Sequence, residues 1–408
     1  MDDEHVPVQT MGTRSNIWKR IIVKLLSRLE NAHVTLVENE QTLMFGSVDD
    51  VNDLKATVVI HDPKVYRLVV TGASVGLAEG YIQGMWSCDD LVVLLRILGA
   101  YISSFNKPRR LKGLILRMTG LLSRWFNYNT IRKSRLNIQA HYDLATDFFK
   151  TYLDEHMQYS CVMFPNDDAS LDEAALHKLQ IISDRLAIKP GEKILEIGSG
   201  WGGLALYLAK HHDCHVTTTT ISDVQFNYVL KRISEEGLHD RVKVVKLDYR
   251  ELHGTFDKCV SIEMIEAIGF DQFALFFDKC RSLLKEGGEL FLQAIVIEDR
   301  RFEAYKHQID FIRRYIFPGG CLPSVSQLVK HTCGRGGWQL LAMDDFGLDY
   351  AKTLSHWRQR FNANLDKIRH MKFSEEFIRM WRYYFCYCEA GFREHWISSV
   401  QCHWLKMR

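Results

Sequence analysis

No apolar run in this 408-residue chain reaches the roughly 18 residues that a membrane-spanning helix needs. The opening MDDEHVPVQT lacks the basic start and apolar stretch of a secretory signal, and is not read as one. Net charge is only +2, which excludes a global field steering the chain to nucleic acid. The ten cysteines stand singly apart from the close pair Cys386 and Cys388. There is no C-x-x-C and no Cys/His set at zinc spacing, so no metal site is expected. The plain reading is reduced thiols in a cytoplasmic protein. No internal repeat and no low-complexity tract is found.

What is present is an ordinary globular composition, 47% hydrophobic and 25% charged, long enough for two or three domains. Residues 16–32, NIWKRIIVKLLSRLENA, put Trp18, Ile21, Ile22, Leu25, Leu26 and Leu29 at helical spacing with basic residues mainly elsewhere. Residues 33–71 alternate apolar and polar around turn signals and predict short strands. Stretches 76–86 and 90–98 predict helices. The first 106 residues therefore read as a small α+β domain. Segment 107–136 contains no acid. Its Lys107, Arg109, Arg110, Lys112, Arg117 and Arg124 are interleaved with leucines, Trp125 and Phe126. It reads as a linker, or as a basic amphipathic segment facing an anionic membrane surface.

From residue 137 to 408 the pattern is different. A helix at 170–187 precedes strand 193–198. Further strands at 214–220, 242–248, 256–264 and 289–297 alternate with helices. This predicts a doubly wound, Rossmann-like α/β domain on a parallel sheet. Between the first strand and its helix lies LEIGSGWGG, with Gly198, Gly200 and Gly203 in a G-x-G-x-x-G turn. An NAD site wants an acid at the end of the next strand; there the chain has only Thr217–Thr220. Glu196 instead precedes the turn. A carboxylate there suits the sulfonium and ammonium groups of S-adenosylmethionine and would repel a pyrophosphate. The Asn/Asp-Pro-Pro loop of nucleic-acid amino-methyltransferases is also missing: the corresponding place reads SIEMIEAIGF, and the chain has no Pro-Pro.

HYDLATDFF (141–149), MQYSC (157–161), LEIGSGWGG (195–203), LDYREL (247–252), SIEMIEAIG (261–269), DFIRRYIFPGG (310–320) and YAKTL–W (350–357) resemble, in this order, the cyclopropane-fatty-acyl-phospholipid synthases and mycolic acid cyclopropane synthases. The stretch 76–91 also resembles the N-terminal domain of the phospholipid-acting members. The resemblance implies a methyl transferred from S-adenosylmethionine to a cis double bond of a phospholipid acyl chain. The resulting carbocation closes to a cyclopropane ring when a bound bicarbonate ion takes a proton. For the cofactor it implies Tyr159 and Ser160 alongside, Glu196, Gly198 and Gly200 at the methionine part, Thr220 and Gln225 near ribose, and Asp248 and Tyr249 near adenine. For bicarbonate it implies Glu266, Tyr350 and the backbone at Cys161 and Ile295.

Two departures stand out. The family's usual histidine is Gln293 here, which can donate a hydrogen bond but cannot titrate. Ala145-Thr146 replaces a common Gly-Asn. Gln293 keeps open a second product, a methylene branch without ring closure. A covalent role for Cys161 is not needed, because alkyl transfer is direct. Readings as a non-catalytic lipid-binding protein or an amine methyltransferase fit less well. The expected setting is peripheral, on the inner face of the membrane, with a homodimer left open.

Overall fold

The computed structural model describes residues 17–46, 54–105 and 146–408. The basic segment 107–136 and the start of the 141–149 motif lie outside the described residues. The chain divides into two compact units, one within Met1–Phe105 together with Glu375–Tyr383, the other within Asn106–Ser374 together with Tyr384–Arg408.

In the first unit, strands β1 (His33–Glu38) and β2 (Gln41–Phe45) form a hairpin. Its two turn residues, Asn39 and Glu40, take φ of 47° and 64°, the mirror-image turn whose twist matches that of the strands. Strand β3 (Lys55–Ile60) runs parallel to β1, and β4 (Trp86–Cys88) antiparallel to β3, giving the order β2-β1-β3-β4. Two local expectations are corrected here. The first helix spans Ile17–Leu26 rather than reaching residue 32; the backbone tightens into three-residue turns at Arg28 and Leu29 and departs at Asn31, φ 58°. Strand structure stops at Ile60, and helix Lys64–Ile82 follows. Asp62 accepts the Lys64 N–H at 2.9 Å beyond a proline whose fixed φ suits a helix start.

The second unit is built on a seven-stranded sheet ordered β10-β11-β9-β8-β5-β6-β7. Its strands are β5 (Glu192–Ile197), β6 (Cys214–Thr220), β7 (Val242–Lys246), β8 (Phe256–Ile262), β9 (Leu284–Ile297), β10 (Trp338–Asp345) and β11 (Ile397–Lys406). Strands β5 to β9 are parallel, as a doubly wound α/β class I methyltransferase fold requires; β11 runs antiparallel between β9 and β10. The β10–β11 pair was not anticipated. Val400, Cys402 and Trp404 pack into one face of the sheet with Leu195, Phe276 and Leu290. Leu179, Ile182, Leu208, Val229 and Phe291 fill the other. Helix Leu171–Leu186 starts on a capping box in which Ser170 and Glu173 bond each other's backbone N–H. Such reciprocal caps satisfy donors the helix itself leaves free.

Strand β5 leads to β6 on one side and is flanked by β8 on the other. At such a reversal, open α/β sheets leave a crevice beyond the strand C-termini.

Candidate active site

The glycine turn opens this crevice. Gly198, Gly200 and Gly202 take φ of 96°, 47° and 86°, values that favour glycine over any residue with a Cβ. The Gly198 and Ser199 amides donate to the Thr219 carbonyl at the end of β6, at 3.1 and 2.8 Å. A Cβ on Gly200 would meet nothing within 4 Å, so this glycine faces open space. Gly203 has a different role. A Cβ there would lie 2.6 Å from the His156 carbonyl oxygen, so the third glycine lets the 156–161 loop sit against the helix that begins at Gly203.

All nine residues expected around the cofactor line one cleft: Tyr159, Ser160, Glu196, Gly198, Gly200, Thr220, Gln225, Asp248 and Tyr249. Glu196 is buried, and its carboxylate accepts from the Thr218 hydroxyl. Burial pushes its carboxyl up to about 8, since a charged carboxylate pays for lost water. No basic side chain among the described residues pairs with it. A cationic ligand group would complete it. Thr220 donates to the Gln225 side chain at 2.8 Å. Asp248 is engaged on both oxygens by Arg250, at 2.8 and 2.7 Å. The Tyr249 hydroxyl and the Trp201 indole N–H are buried without a hydrogen-bond partner among the described residues. An unspent acid, a glycine facing open space and two unsatisfied polar groups fit S-adenosylmethionine.

Beyond the cleft, the five residues assigned to the catalytic anion divide into two sets. The Ile295 N–H donates to Glu266 Oε1, and Glu266 Oε2 is buried without a partner among the described residues. The other three converge on a residue that was not singled out, Glu263. Its Oε1 accepts the Cys161 N–H at 2.9 Å and Gln293 Nε2 at 2.8 Å. Its Oε2 accepts the Tyr350 hydroxyl at 2.7 Å. This corrects the bicarbonate expectation. The donors meant for that ion are spent on a carboxylate of the chain itself, so bicarbonate does not fit beside the Glu263 side chain.

Gln293 follows from the same arrangement. Its Nε2 also donates to the Cys161 carbonyl at 3.1 Å. One nitrogen thus serves two acceptors, which an amide NH2 can do and a single imidazole nitrogen cannot. Its oxygen accepts from Gln401 Nε2 at 3.0 Å. Gln401 is its register partner on β11, and the two acceptors on Glu263 and Cys161 set which way the Gln293 amide points.

Lys178 is the second residue missed. It is 1% exposed on helix Leu171–Leu186, and its Nζ donates to Ser160 Oγ at 2.7 Å. Burial holds its ammonium below the usual lysine range, while the Glu263 and Asp154 charges pull it back up. Burial raises Glu263; Tyr350, Gln293, Lys178 and the Cys161 amide oppose the rise. Glu266 has only backbone donors in opposition and is pushed to about 8 by burial and then by the Glu263 charge. Of the two carboxyls, Glu266 is the more readily protonated, because burial and the Glu263 charge act on it with only backbone donors opposing them. Burial and Glu263 hold the Cys161 thiol far above its usual range, which leaves it inert as a nucleophile.

Tyr350, bonded to Glu263, belongs to an aromatic cluster. Trp357 stacks on Tyr159 with centroids 5.5 Å apart, and Tyr350 on Phe392 at 4.4 Å. Among the described residues there is no cluster that could hold a metal ion.

The comparisons with known proteins give the family. The family described as mycolic acid cyclopropane synthetase matches residues 129–402. The chain is 35% identical over 395 residues to the cyclopropane-fatty-acyl-phospholipid synthase of Escherichia coli strain K12, covering 97% of this chain and 95% of that one. It is 33% identical over 353 residues to a tuberculostearic acid methyltransferase of Mycobacterium tuberculosis, covering 85% and 82%. Among solved structures, a mycolic acid cyclopropane synthase complexed with SAH and CTAB superposes with a TM-score of 0.63 at 29% identity, over 67% of this chain and 98% of that one. The chain belongs to the mycolic acid cyclopropane synthetase family and is an S-adenosylmethionine-dependent methyltransferase.

Proposed function

We propose that this enzyme alkylates the cis double bonds of unsaturated acyl chains in membrane phospholipids and closes them to cyclopropane rings. The observation that carries the reading is the constellation of half-buried Glu263 with buried Tyr350, Gln293 and Cys161 at the cofactor cleft. An N- or O-methyltransferase needs a base for a polar acceptor atom. A buried acid–aromatic site suits an acceptor carbon that becomes cationic and must then lose a proton.

S-adenosylmethionine, when bound, supplies an electrophilic methyl group. The chain does the rest. Glu196, Gly198 and Gly200 hold the charged methionine end, Thr220 and Gln225 the ribose side, and Asp248 with Tyr249 the base. Tyr159, which lines the cleft and is backed by Trp357, offers a π-face to a developing carbocation without offering a nucleophile that would trap it. The first-unit helix supports a peripheral role at the inner face of the membrane. Its Ile17, Ile21 and Leu25 are exposed to 65, 36 and 42%, next to exposed Arg20, Lys24 and Arg28. Apolar and basic residues on one short helix suit an anionic lipid surface. No helix among the described residues is long and apolar enough to cross a membrane.

A second product, the methylene branch without ring closure, is favoured by one observation: Gln293, with Glu263, replaces the family's usual arrangement of histidine and free anion. Expression in a bacterial host that makes unsaturated but no cyclopropane lipids tests the reading. Lipid extracts should gain one CH2 per modified chain, and derivatisation then separates a ring from a branch. Unchanged lipids from cells holding folded enzyme would reject it.

A further inference from the structure

Glu263 is built at a cost. Its backbone φ is 50°, a left-handed conformation that is strained for a residue with a side chain. Its carboxylate is half-buried at the cleft and bonded on both oxygens. Strain of this kind persists where the surroundings over-determine a side-chain position. Here they do so from four elements: the 157–161 loop, β9, β11 through Gln401, and helix Gly347–Ala363 carrying Tyr350.

We propose that the Glu263 carboxylate is the resident base of this enzyme and stands in place of a free bicarbonate ion. The inference rests on the alkylation reading above. A carboxylate has four lone-pair sites. Two on Oε1 are taken by Cys161 N–H and Gln293 Nε2, and one on Oε2 by the Tyr350 hydroxyl. One lone pair on Oε2 is left to accept a proton. Lys178 and the three donors favour the charged form of Glu263, while Glu266, opposed by backbone donors alone, is the more readily protonated of the two. Gln401 fixes the Gln293 amide and is a positioning residue.

The step balances without a co-reactant. The alkene π pair forms the bond to the incoming methyl carbon, and the neighbouring alkene carbon becomes cationic. Sulfur keeps the electron pair of its broken bond. The free Oε2 lone pair takes one proton from the new methyl, and that C–H pair closes onto the cationic carbon. Glu263 leaves the step protonated and returns its proton to solvent before the next turnover.

The test uses the full-length enzyme, unsaturated phospholipid vesicles and buffer stripped of carbon dioxide. Wild-type turnover should not change when bicarbonate is removed or restored. Glu263→Gln keeps the shape and removes the base, and should lower turnover about 10²-fold or more at unchanged S-adenosylmethionine affinity. Glu263→Gly relieves the strained φ and frees the three donors. Bicarbonate at about 10 mM should then restore turnover about 10-fold and raise Tm in that variant alone. Wild type that loses turnover without bicarbonate, or Glu263→Gln at wild-type turnover, would overturn the proposal. The thermal arm stands apart from the alkylation reading. If no lipid product forms, that reading fails, and a bicarbonate-dependent rise in wild-type Tm would overturn the Glu263 assignment by itself.

Discussion

Glu196→Gln is the most informative change in the cofactor cleft. The wild-type carboxyl is buried, bonded by Thr218, and raised from 4.5 to about 8. An acid whose folded pKa lies above its unfolded one binds a proton more tightly when folded. Its contribution to stability is complete below 4.5 and is lost as pH rises through about 8. The gap of 3.5 units at about 1.4 kcal/mol each gives about 5 kcal/mol between the two limits. Glutamine keeps the Thr218 contact and cannot ionise. The two proteins should therefore match within about 1 kcal/mol near pH 4, and the variant should be the more stable by several kcal/mol at pH 10. The cofactor reads the same group in the opposite sense. At pH 6.5 wild-type Glu196 is mostly neutral, and a bound cation needs it ionised. Binding should release close to one proton, seen as a calorimetric heat that varies with the buffer's ionisation enthalpy. The variant should release about one proton fewer and bind about 10- to 100-fold more weakly, the worth of one charged contact. Identical proton release and identical Tm-versus-pH curves in the two proteins would refute the role of Glu196.

Three further outcomes are expected. Gly200→Val puts a branched side chain into open space at φ 47°; it should fold with a loss of about 1–2 kcal/mol and show no S-adenosylmethionine binding by calorimetry. Lys178→Met removes a charge that holds Glu263 down, so the acidic limb of the turnover-versus-pH profile should move to higher pH, and an unmoved limb would remove Lys178 from the site. Changing Ile17, Ile21 and Leu25 together to Ser should reduce sedimentation with anionic vesicles about 10-fold or more by removing partly exposed apolar surface, while turnover on a detergent-dispersed acyl substrate survives.

Much of the second unit is legible in the chain because its signals are local. Alternating strands and helices, three glycines at fixed spacing and a preceding acid lie within short windows, and the parallel β5–β9 sheet follows from them. The β10–β11 pair is not legible this way. Strand β11 is buried along most of its length, so it has no alternation to read. Glu263 is hidden for another reason. Its partners come from 102, 30 and 87 residues away, and only the folded chain brings them together. In the sequence it is one carboxylate beside another in SIEMIEAIG. Lys178 did carry a signal. It occupies an inward position of an amphipathic helix, between Ala175 and Ile182, where a lysine is costly unless partnered. The exchange of histidine for Gln293 was visible, but its meaning depends on Glu263 and Gln401.

The central claim is that a lipid double bond receives a methyl carbon and that the same carbon then loses a proton. Purified enzyme, oleoyl phospholipid vesicles and S-adenosylmethionine carrying a trideuteriomethyl group test both parts at once. The account predicts a lipid that gains one carbon bearing two deuterium atoms within a cyclopropane ring, with the third deuterium lost to water. A lipid that keeps all three deuterium atoms, or label found only on headgroup nitrogen or oxygen, would contradict it.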